Sequence, residues 1–346
     1  MNSPSVLPEP TVLTVGQWLE PYVSRLVGLV GHRANVEFLA DDSVDSLVSR
    51  IGGADVVITT WMDAPVAAAA NRLRLLQVPG SGVDRIDLDA LPDRVVVANC
   101  YEHEYGIAEY IMMQALALTR GLVGMDSALR SGDWCHSAAS GDPPRPELRG
   151  RTLGLLGLGH IGRATAVLAK AFQMRTVAMT RSVPPESMWP DLAVDHVVPP
   201  DGLLDVLSAA DVVAVALPLD PSTRSTIGER ELASMRRTAY LVNPARGAVV
   251  DEAALYDALS RGVIAGAAID TWYRYPARDG ERITPSRLPF ERLTNVIMTP
   301  HIAGYTAQTM DRRMDVIGRN IVAMLDGRPI ENVVRPGGGP NAPWSA

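Results

Sequence analysis

One lysine, Lys170, stands among the 346 residues, so nearly all of the positive charge is arginine. Any anion this chain binds is therefore met by arginines, histidines or backbone amides. Cysteine is almost as scarce. Cys100 and Cys135 have no metal-type spacing and argue against a disulfide scaffold, so both read as reduced thiols. An excess of positive charge is also missing: the formal net charge of −7 removes any global attraction for nucleic acid or anionic membrane. No uninterrupted apolar run reaches the roughly 20 residues that span a bilayer. The N-terminal stretch MNSPSVLPEP lacks the basic and apolar parts of a signal peptide. The expectation is a cytoplasmic protein without metal, nucleic-acid partner or membrane contact.

What is present is 47% hydrophobic residues, as in folded globular proteins, on a chain long enough that two domains are the default. TVLTVG (11–16), the end of SLVSRIGGADVVITT (46–60), RLRLLQV (72–78) and RVVVANC (94–100) read as strands separated by helical segments. That alternation indicates an α/β fold with a mostly parallel sheet. From Tyr105 to about Arg130 the pattern turns helical, with Ile107, Ile111, Ala115, Leu118 and Leu122 at spacings of three and four. A second βαβ series begins at RTLGLLGLG and runs through VAMTRS, DVVAVALPL, TAYLVN, VIAGAAID and NVIMTP. A helix from about Thr306 to Leu325 then leads into a proline- and glycine-rich tail. Two Rossmann-like domains follow: a discontinuous one from 1–103 plus 303–346, and an inserted cofactor domain at 104–302.

GLGHIG places Gly157, Gly159 and Gly162 directly after the apolar TLGLL and before the helical ATAVLAKAF. In a strand–turn–helix the first glycine permits the tight turn, the second lets backbone approach a pyrophosphate, and the third lets helix and strand pack closely. The helix N-terminus, with His160 and Ile161, then faces the diphosphate. A purely structural turn is the competing reading, and the setting favours a dinucleotide. An NAD site places Asp or Glu about twenty residues further on, against the ribose hydroxyls. Here Thr180, Arg181 and Ser182 stand there instead. Nothing repels a 2′-phosphate, and Arg181 can grip one through a charge-assisted fork. NADP(H) is therefore expected in preference to NAD(H), the alternative being an Arg181 that faces water.

Two later loops end expected strands of the same domain: NPARG, with Arg246, and TPHIAG, with His301. Open parallel sheets gather ligands at strand C-termini. An arginine clamps a carboxylate with paired donors. A histidine, with a reference pKa of about 6.5, exchanges the proton that accompanies hydride transfer. Alone, Arg246 reads equally as a surface ion pair and His301 as a structural imidazole. Following a dinucleotide motif, both read better as reacting groups.

The segments PGSGVDRIDL, GIAEYIMMQALALTR, LLGLGHIGRATAVLAKAF, ALPLDPSTRSTI, LVNPARGAVVDEAAL, GAAIDTW and TPHIAG run in this order along nearly the whole chain. They resemble the D-isomer-specific 2-hydroxyacid dehydrogenase family. The resemblance implies a flavodoxin-like substrate domain from the two outer segments, an active site in the interdomain cleft and a homodimer formed through the region around 105–150. It implies that Arg246 binds the carboxylate of a small substrate and polarises its keto oxygen, and that His301 is the acid/base. The loop Pro79, Gly80, Ser81 and Gly82 would offer backbone amides to that carboxylate. Pro218 falls on the cofactor side, and Asp270 matches an aspartate that is either structural or near the cofactor ribose. Trp61 and Met62 follow a strand whose neighbours touch substrate in the family, with ordinary packing as the alternative. Tyr305 is a candidate pocket wall. His103, in EHEYG, either faces the cleft or decorates the linker. The arginine of phosphoglycerate dehydrogenases aligns with Thr59, which disfavours 3-phosphoglycerate.

The family usually carries a glutamate five residues after this aspartate, just before a proline. That count falls on Tyr275, before Pro276. A carboxylate stabilises imidazolium and raises a histidine's pKa, whereas a neutral phenol does so far less. Tyr275 can still orient His301, since a hydroxyl both donates and accepts. A lower working pKa and weaker ketoacid reduction at high pH are expected. Glu102 and Glu104 are candidates to restore a carboxylate through space. The expected activity is reversible NAD(P)H-dependent reduction of a 2-keto acid to a D-2-hydroxy acid. One alternative is a cofactor-binding regulatory or scaffold protein with weak or lost catalysis. The other is formate-type oxidation, because the tryptophan and Pro-Ala of DTWYRYPARD resemble formate dehydrogenases. Against it, His103 stands where that branch has asparagine.

Overall fold

The computed structural model describes residues 9–276 and 281–338; the Ala277 of the Pro-Ala pair and residues 339–346 of the tail lie outside the described residues. Contacts divide the chain into two units, one ending at Glu102 and resuming at Ala307, the other running from His103 to Thr306.

In the first unit, strands β1 (Thr11–Val15), β2 (Asn35–Leu39), β3 (Val56–Ile58), β4 (Leu75–Gln77) and β5 (Val96–Ala98) are parallel in the order 2-1-3-4-5, and a final strand, Val333–Arg335, runs antiparallel beside β5. This is the flavodoxin-like winding. Strand periodicity sorts the core. Val12, Val56, Leu75 and Val96 lie with α1 (Val23–Val30) and the C-terminal helix Ala307–Leu325 in one cluster, while Leu13, Val57, Leu76 and Val97 lie with α2 (Val44–Ile51) and α3 (Ala64–Ala69) in the other. Burial on both faces is why these strands read as unbroken apolar runs. Strand β2 was not among the expected ones. It is an edge strand with half-buried residues, and its Glu37 accepts from Arg50 at 2.6 Å, so its sequence lacks the apolar run.

The second unit is a seven-stranded parallel sheet: β6 (Thr152–Leu156), β7 (Arg175–Met179), β8 (His196–Val198), β9 (Val212–Val215), β10 (Tyr240–Asn243), β11 (Gly266–Ile269) and β12 (Val296–Met298). Its order is β8-β7-β6-β9-β10-β11-β12, so the chain reverses direction across the sheet between β6 and β9. That reversal is the switch point at which doubly wound sheets bind dinucleotides. The expected helix from Tyr105 to Arg130 is two helices, α4 (Glu104–Arg120) and α5 (Leu122–Arg130). Gly121 separates them in the left-handed conformation, φ 68°, its N–H bonded to the carbonyls of Ala117 and Leu118. A glycine there ends a helix at little steric cost. The remaining helices are α6 (His160–Ala171), α7 (Leu203–Ala209), α8 (Glu229–Ser234) and α9 (Glu252–Ser260). Among the described residues no helix is long and apolar enough to cross a membrane, and no group of three or more His, Cys, Asp or Glu is placed to hold a metal ion.

Candidate active site

The turn between β6 and α6 is dictated by two glycines. Gly157 has φ 110°, and a Cβ there would lie 2.5 Å from the Ala216 carbonyl oxygen. A Cβ on Gly162 would lie 2.1 Å from the Gly157 oxygen. No side chain fits at either position. Gly159 differs: it caps α6 in an extended conformation, without a side-chain hydrogen bond, and open space surrounds the place of its absent Cβ. The helix thus starts with its first-turn amides uncapped by a side chain, the arrangement that receives a phosphate. His160 is exposed, and Ile161 is half-buried with its carbonyl accepting from Thr165 at 2.8 Å. The turn fits a dinucleotide.

Beyond β7, Thr180 is half-buried and donates its N–H to Val198 at 3.0 Å, while Arg181 and Ser182 are exposed. Pro218 lies in the turn after β9, where its carbonyl accepts from the Thr223 hydroxyl at 2.6 Å. In the same turn the Ser222 hydroxyl chiefly holds the Asp220 carboxyl below the usual carboxylate range, with the Arg181 charge contributing through space.

Three loops at strand C-termini build the rest of the candidate site. Asn243, the last residue of β10, accepts from the Ala245 N–H at 3.1 Å and donates to the Arg246 carbonyl at 3.0 Å, which shapes NPARG. Arg246 is half-buried and its Nη1 donates to the Ala245 carbonyl at 2.8 Å. At Gly247 a Cβ would fall 2.6 Å from the Trp272 carbonyl oxygen, so only glycine lets NPARG lie against DTW.

Asp270 follows β11 and is fully buried. Its carboxylate accepts from the Thr299 hydroxyl at 2.6 Å and from the N–H groups of Ile302 and Ala303 at 2.9 Å, and its main-chain carbonyl accepts the His301 N–H at 2.8 Å. A side chain so enclosed does not reach a cofactor ribose. Of the two roles open to Asp270, the cofactor role is set aside and the anchoring of 299–303 remains. His301 needs that anchor: its φ of 59° is left-handed for a non-glycine residue, a state that costs on the order of 1–3 kcal/mol and persists where the surroundings over-determine it. Tyr110 of α4 adds a hydroxyl 2.7 Å from Thr299, and Trp272 Nε1 donates to the Thr299 carbonyl at 2.8 Å. Burial pushes the Tyr110 phenol well above its ordinary pKa.

The Tyr275 hydroxyl lies 3.0 Å from Nδ1 of His301 and accepts the Trp272 N–H at 3.0 Å. The two rings are tilted by 53° with centroids 5.6 Å apart. Glu102 does not take this place; it pairs with Arg312 at 3.3 Å within the first unit. Glu104 keeps its Oε2 buried in the first turn of α4. His103 is buried under Gly304, whose absent Cβ would sit 3.2 Å from the His103 Cβ, so it packs beneath TPHIAG and does not decorate a linker. Tyr305 is exposed.

In the first unit, Met62 is 1% exposed and donates its N–H to Arg85 at 3.0 Å. It is core, and the substrate role expected of it is corrected to packing. Trp61 is half-buried, and its carbonyl accepts from the buried Thr59 hydroxyl at 3.2 Å. In Pro79–Gly82, Pro79 is buried and the other three residues are half-buried. The Gly80 carbonyl accepts from the Cys100 N–H at 3.0 Å and the Ser81 carbonyl from Asn99 Nδ2 at 2.9 Å. Sequence reasoning passed over Thr299, Tyr110, Asn243 and Asn99. Only Asn243 carried a local signal, as the residue that opens NPARG.

A winding reversal at a glycine turn, with an arginine loop and a histidine loop on the same sheet, defines a Rossmann-fold oxidoreductase within a two-domain α/β architecture. The chain belongs to the D-isomer specific 2-hydroxyacid dehydrogenase family, whose NAD binding domain matches residues 112–303. It is 32% identical over 299 residues to a glycerate dehydrogenase from Methylorubrum extorquens, covering 84% of this chain and 88% of that one. It is 31% identical over 320 residues to a D-3-phosphoglycerate dehydrogenase from Methanocaldococcus jannaschii; the match covers 91% of this chain but spans only 58% of that relative. Among solved structures it resembles a 2-hydroxyacid dehydrogenase from Ketogulonicigenium vulgare Y25, with TM-score 0.77, 26% identity, and 96% of this chain and 100% of that one covered.

Proposed function

We propose that this chain reduces a small 2-keto acid reversibly to a D-2-hydroxy acid and prefers NADPH over NADH. The observation that carries the reading is the Tyr275 hydroxyl 3.0 Å from Nδ1 of His301, on a loop that Asp270 anchors, in the same unit as the glycine turn. Bound along Gly157–Gly162, the nicotinamide dinucleotide supplies the hydride. Arg246 grips the substrate carboxylate and stabilises charge developing on the keto oxygen. His301 delivers the proton from Nε2, with its ring oriented through Nδ1. Tyr275 takes the place where the family usually has glutamate. Its oxygen, already accepting from Trp272, either receives Nδ1–H of the imidazolium or gives its own proton to the neutral ring.

The preference for NADPH rests on Thr180–Ser182, where no carboxylate opposes a 2′-phosphate and Arg181 offers a charged fork. Pro79–Gly82 is assigned to the substrate carboxylate. The homodimer contact is assigned to the region around 105–150, where Met113, Leu122, Val123, Leu129 and Trp134 are exposed apolar residues. The test follows NADPH and NADH oxidation against glyoxylate, hydroxypyruvate, phenylpyruvate and acids with anionic tails. Turnover with at least one class, faster with NADPH, is expected. Cofactor binding without turnover on this panel or with formate would overturn the reading in favour of a binding protein.

A further inference from the structure

The loop after β4 has its carbonyls tied to its own unit. Gln77 Nε2 donates to the Val78 carbonyl at 3.2 Å, the Cys100 N–H to the Gly80 carbonyl at 3.0 Å, and Asn99 Nδ2 to the Ser81 carbonyl at 2.9 Å. None of the peptide bonds in the described residues is cis. In a trans peptide the C=O and the following N–H point in opposite directions. Holding the Gly80 carbonyl against Cys100 therefore turns the Ser81 N–H away from the end of β5. Holding the Ser81 carbonyl against Asn99 does the same to the Gly82 N–H. Two successive amides turned the same way offer paired donors to an anion.

One of those two peptides is held by main chain and the other by a side chain, that of Asn99. Its backbone is pinned where its N–H meets the Asn332 carbonyl at 3.1 Å, and the residue is 5% exposed. Its Oδ1 is buried and, among the described residues, has no hydrogen-bond partner. An orphaned buried acceptor destabilises a fold and calls for a reason. Here the donor half of the amide is needed at Ser81, and the stranded oxygen comes with it.

We infer that Asn99 is a positioning residue that presents the Gly82 amide, beside that of Ser81, to the carboxylate of the substrate. The inference rests on the assignment of Pro79–Gly82 to that carboxylate. Asn99→Asp keeps the shape but replaces the donor with an acceptor that repels the Ser81 carbonyl. Asn99→Ala removes the contact altogether. In both variants KM for the 2-keto acid is expected to rise by about tenfold or more, the equivalent of one charge-assisted hydrogen bond, with kcat falling by less. The Kd for NADPH, followed by its fluorescence, is expected to stay within about twofold. In the unaltered protein, oxamate with NADPH is expected to slow hydrogen exchange at Ser81 and Gly82, a readout that needs no variant to fold and no turnover. Turnover in the unaltered protein with unshifted KM in both variants would overturn the role of Asn99. So would unprotected Ser81 and Gly82 amides with oxamate bound. Protection by oxamate without turnover on any acid would instead sink the catalytic reading and keep this one.

Discussion

Replacing Tyr275 with phenylalanine removes one oxygen that makes two contacts of 3.0 Å, to the Trp272 N–H and to Nδ1 of His301. Tyr275 is 46% exposed, so water can replace the first contact. A mobile water does not fix a ring, so the second is lost as an orienting contact. One hydrogen bond contributes about 0.5–1.5 kcal/mol, which converts to about 2- to 12-fold in kcat/KM. Tyr275→Glu tests the charge. A carboxylate about 4 Å from an imidazolium gains about 1 kcal/mol in water and about 4 kcal/mol at an effective dielectric of 20. Exposure puts the pair near the lower figure, or about one pH unit. In the proposed reaction the His301 imidazolium is the proton donor for reduction, so kcat/KM falls as rising pH deprotonates it. A carboxylate preserves the imidazolium to higher pH, and the falling limb of Tyr275→Glu is expected about one unit above that of the unaltered enzyme. Tyr275→Phe is expected to lose rate without an upward move. Profiles of kcat/KM at saturating NADPH across roughly pH 5–10 decide it. A glutamate variant whose limb coincides with that of the unaltered protein would refute the reasoning, because residue 275 would then not stand beside the working acid.

Arg181→Asp is expected to cut kcat/KM for NADPH by about 10- to 100-fold, the loss of a charge-assisted contact, while leaving NADH nearly unchanged; an unmoved ratio of the two in steady-state assays would place Arg181 outside the cofactor site. Gly162→Ala drives a Cβ into the Gly157 oxygen at 2.1 Å, and is expected to lower the unfolding free energy by at least about 1–3 kcal/mol and to abolish NADPH binding, as followed by denaturant titration and NADPH fluorescence. Burial pushes the Cys100 thiol up to about 12, whereas Cys135 is exposed; titration with an aromatic disulfide reagent near neutral pH is expected to find one reactive thiol in the native chain and two after unfolding.

Strands buried on both faces are readable because burial leaves an uninterrupted apolar run. That holds for β1, β3–β6 and β9–β11. Edge strands β2 and β8 carry Glu37 and His196 in three- to five-residue segments, and their pairing is decided by a neighbouring strand that local pattern does not encode. The break at Gly121 was hidden by apolar spacing that continues to Leu122. In the candidate site, Arg246 and His301 drew attention because their loops have distinctive local chemistry. The partners that hold them were not. Tyr110 reaches Thr299 across 189 residues of chain, and Asn99 reaches Ser81 across 18. Such contacts exist only once the sheets have formed. Met62 misled for the opposite reason: following a strand end is a necessary but not a sufficient condition for facing a ligand, and its side chain turned into the core.

A change at residue 275 leaves intact the framework that places Arg246 and His301, the two groups to which the proposed reaction gives its charges. Arg246 is set by Asn243, through its bonds to Ala245 and to the Arg246 carbonyl. His301 is set by Asp270, through the Thr299 hydroxyl and the N–H groups of His301, Ile302 and Ala303. The two loops meet main chain to main chain, where Gly247 lies against the Trp272 carbonyl. None of these contacts involves the side chain of Tyr275. That side chain meets the array at the Trp272 N–H and at Nδ1 of His301, both of which a carboxylate could also engage. Position therefore resides in the backbone scaffold and proton affinity in the residue beside Nδ1, so evolution could alter the second without disturbing the first. Asp270→Asn, which replaces an acceptor oxygen with a donor facing a main-chain N–H, is accordingly expected to lose kcat at every pH, whereas substitutions at Tyr275 change mainly the shape of the pH profile. If the two variants showed the same pH-independent loss, this separation of placement from proton affinity would be wrong.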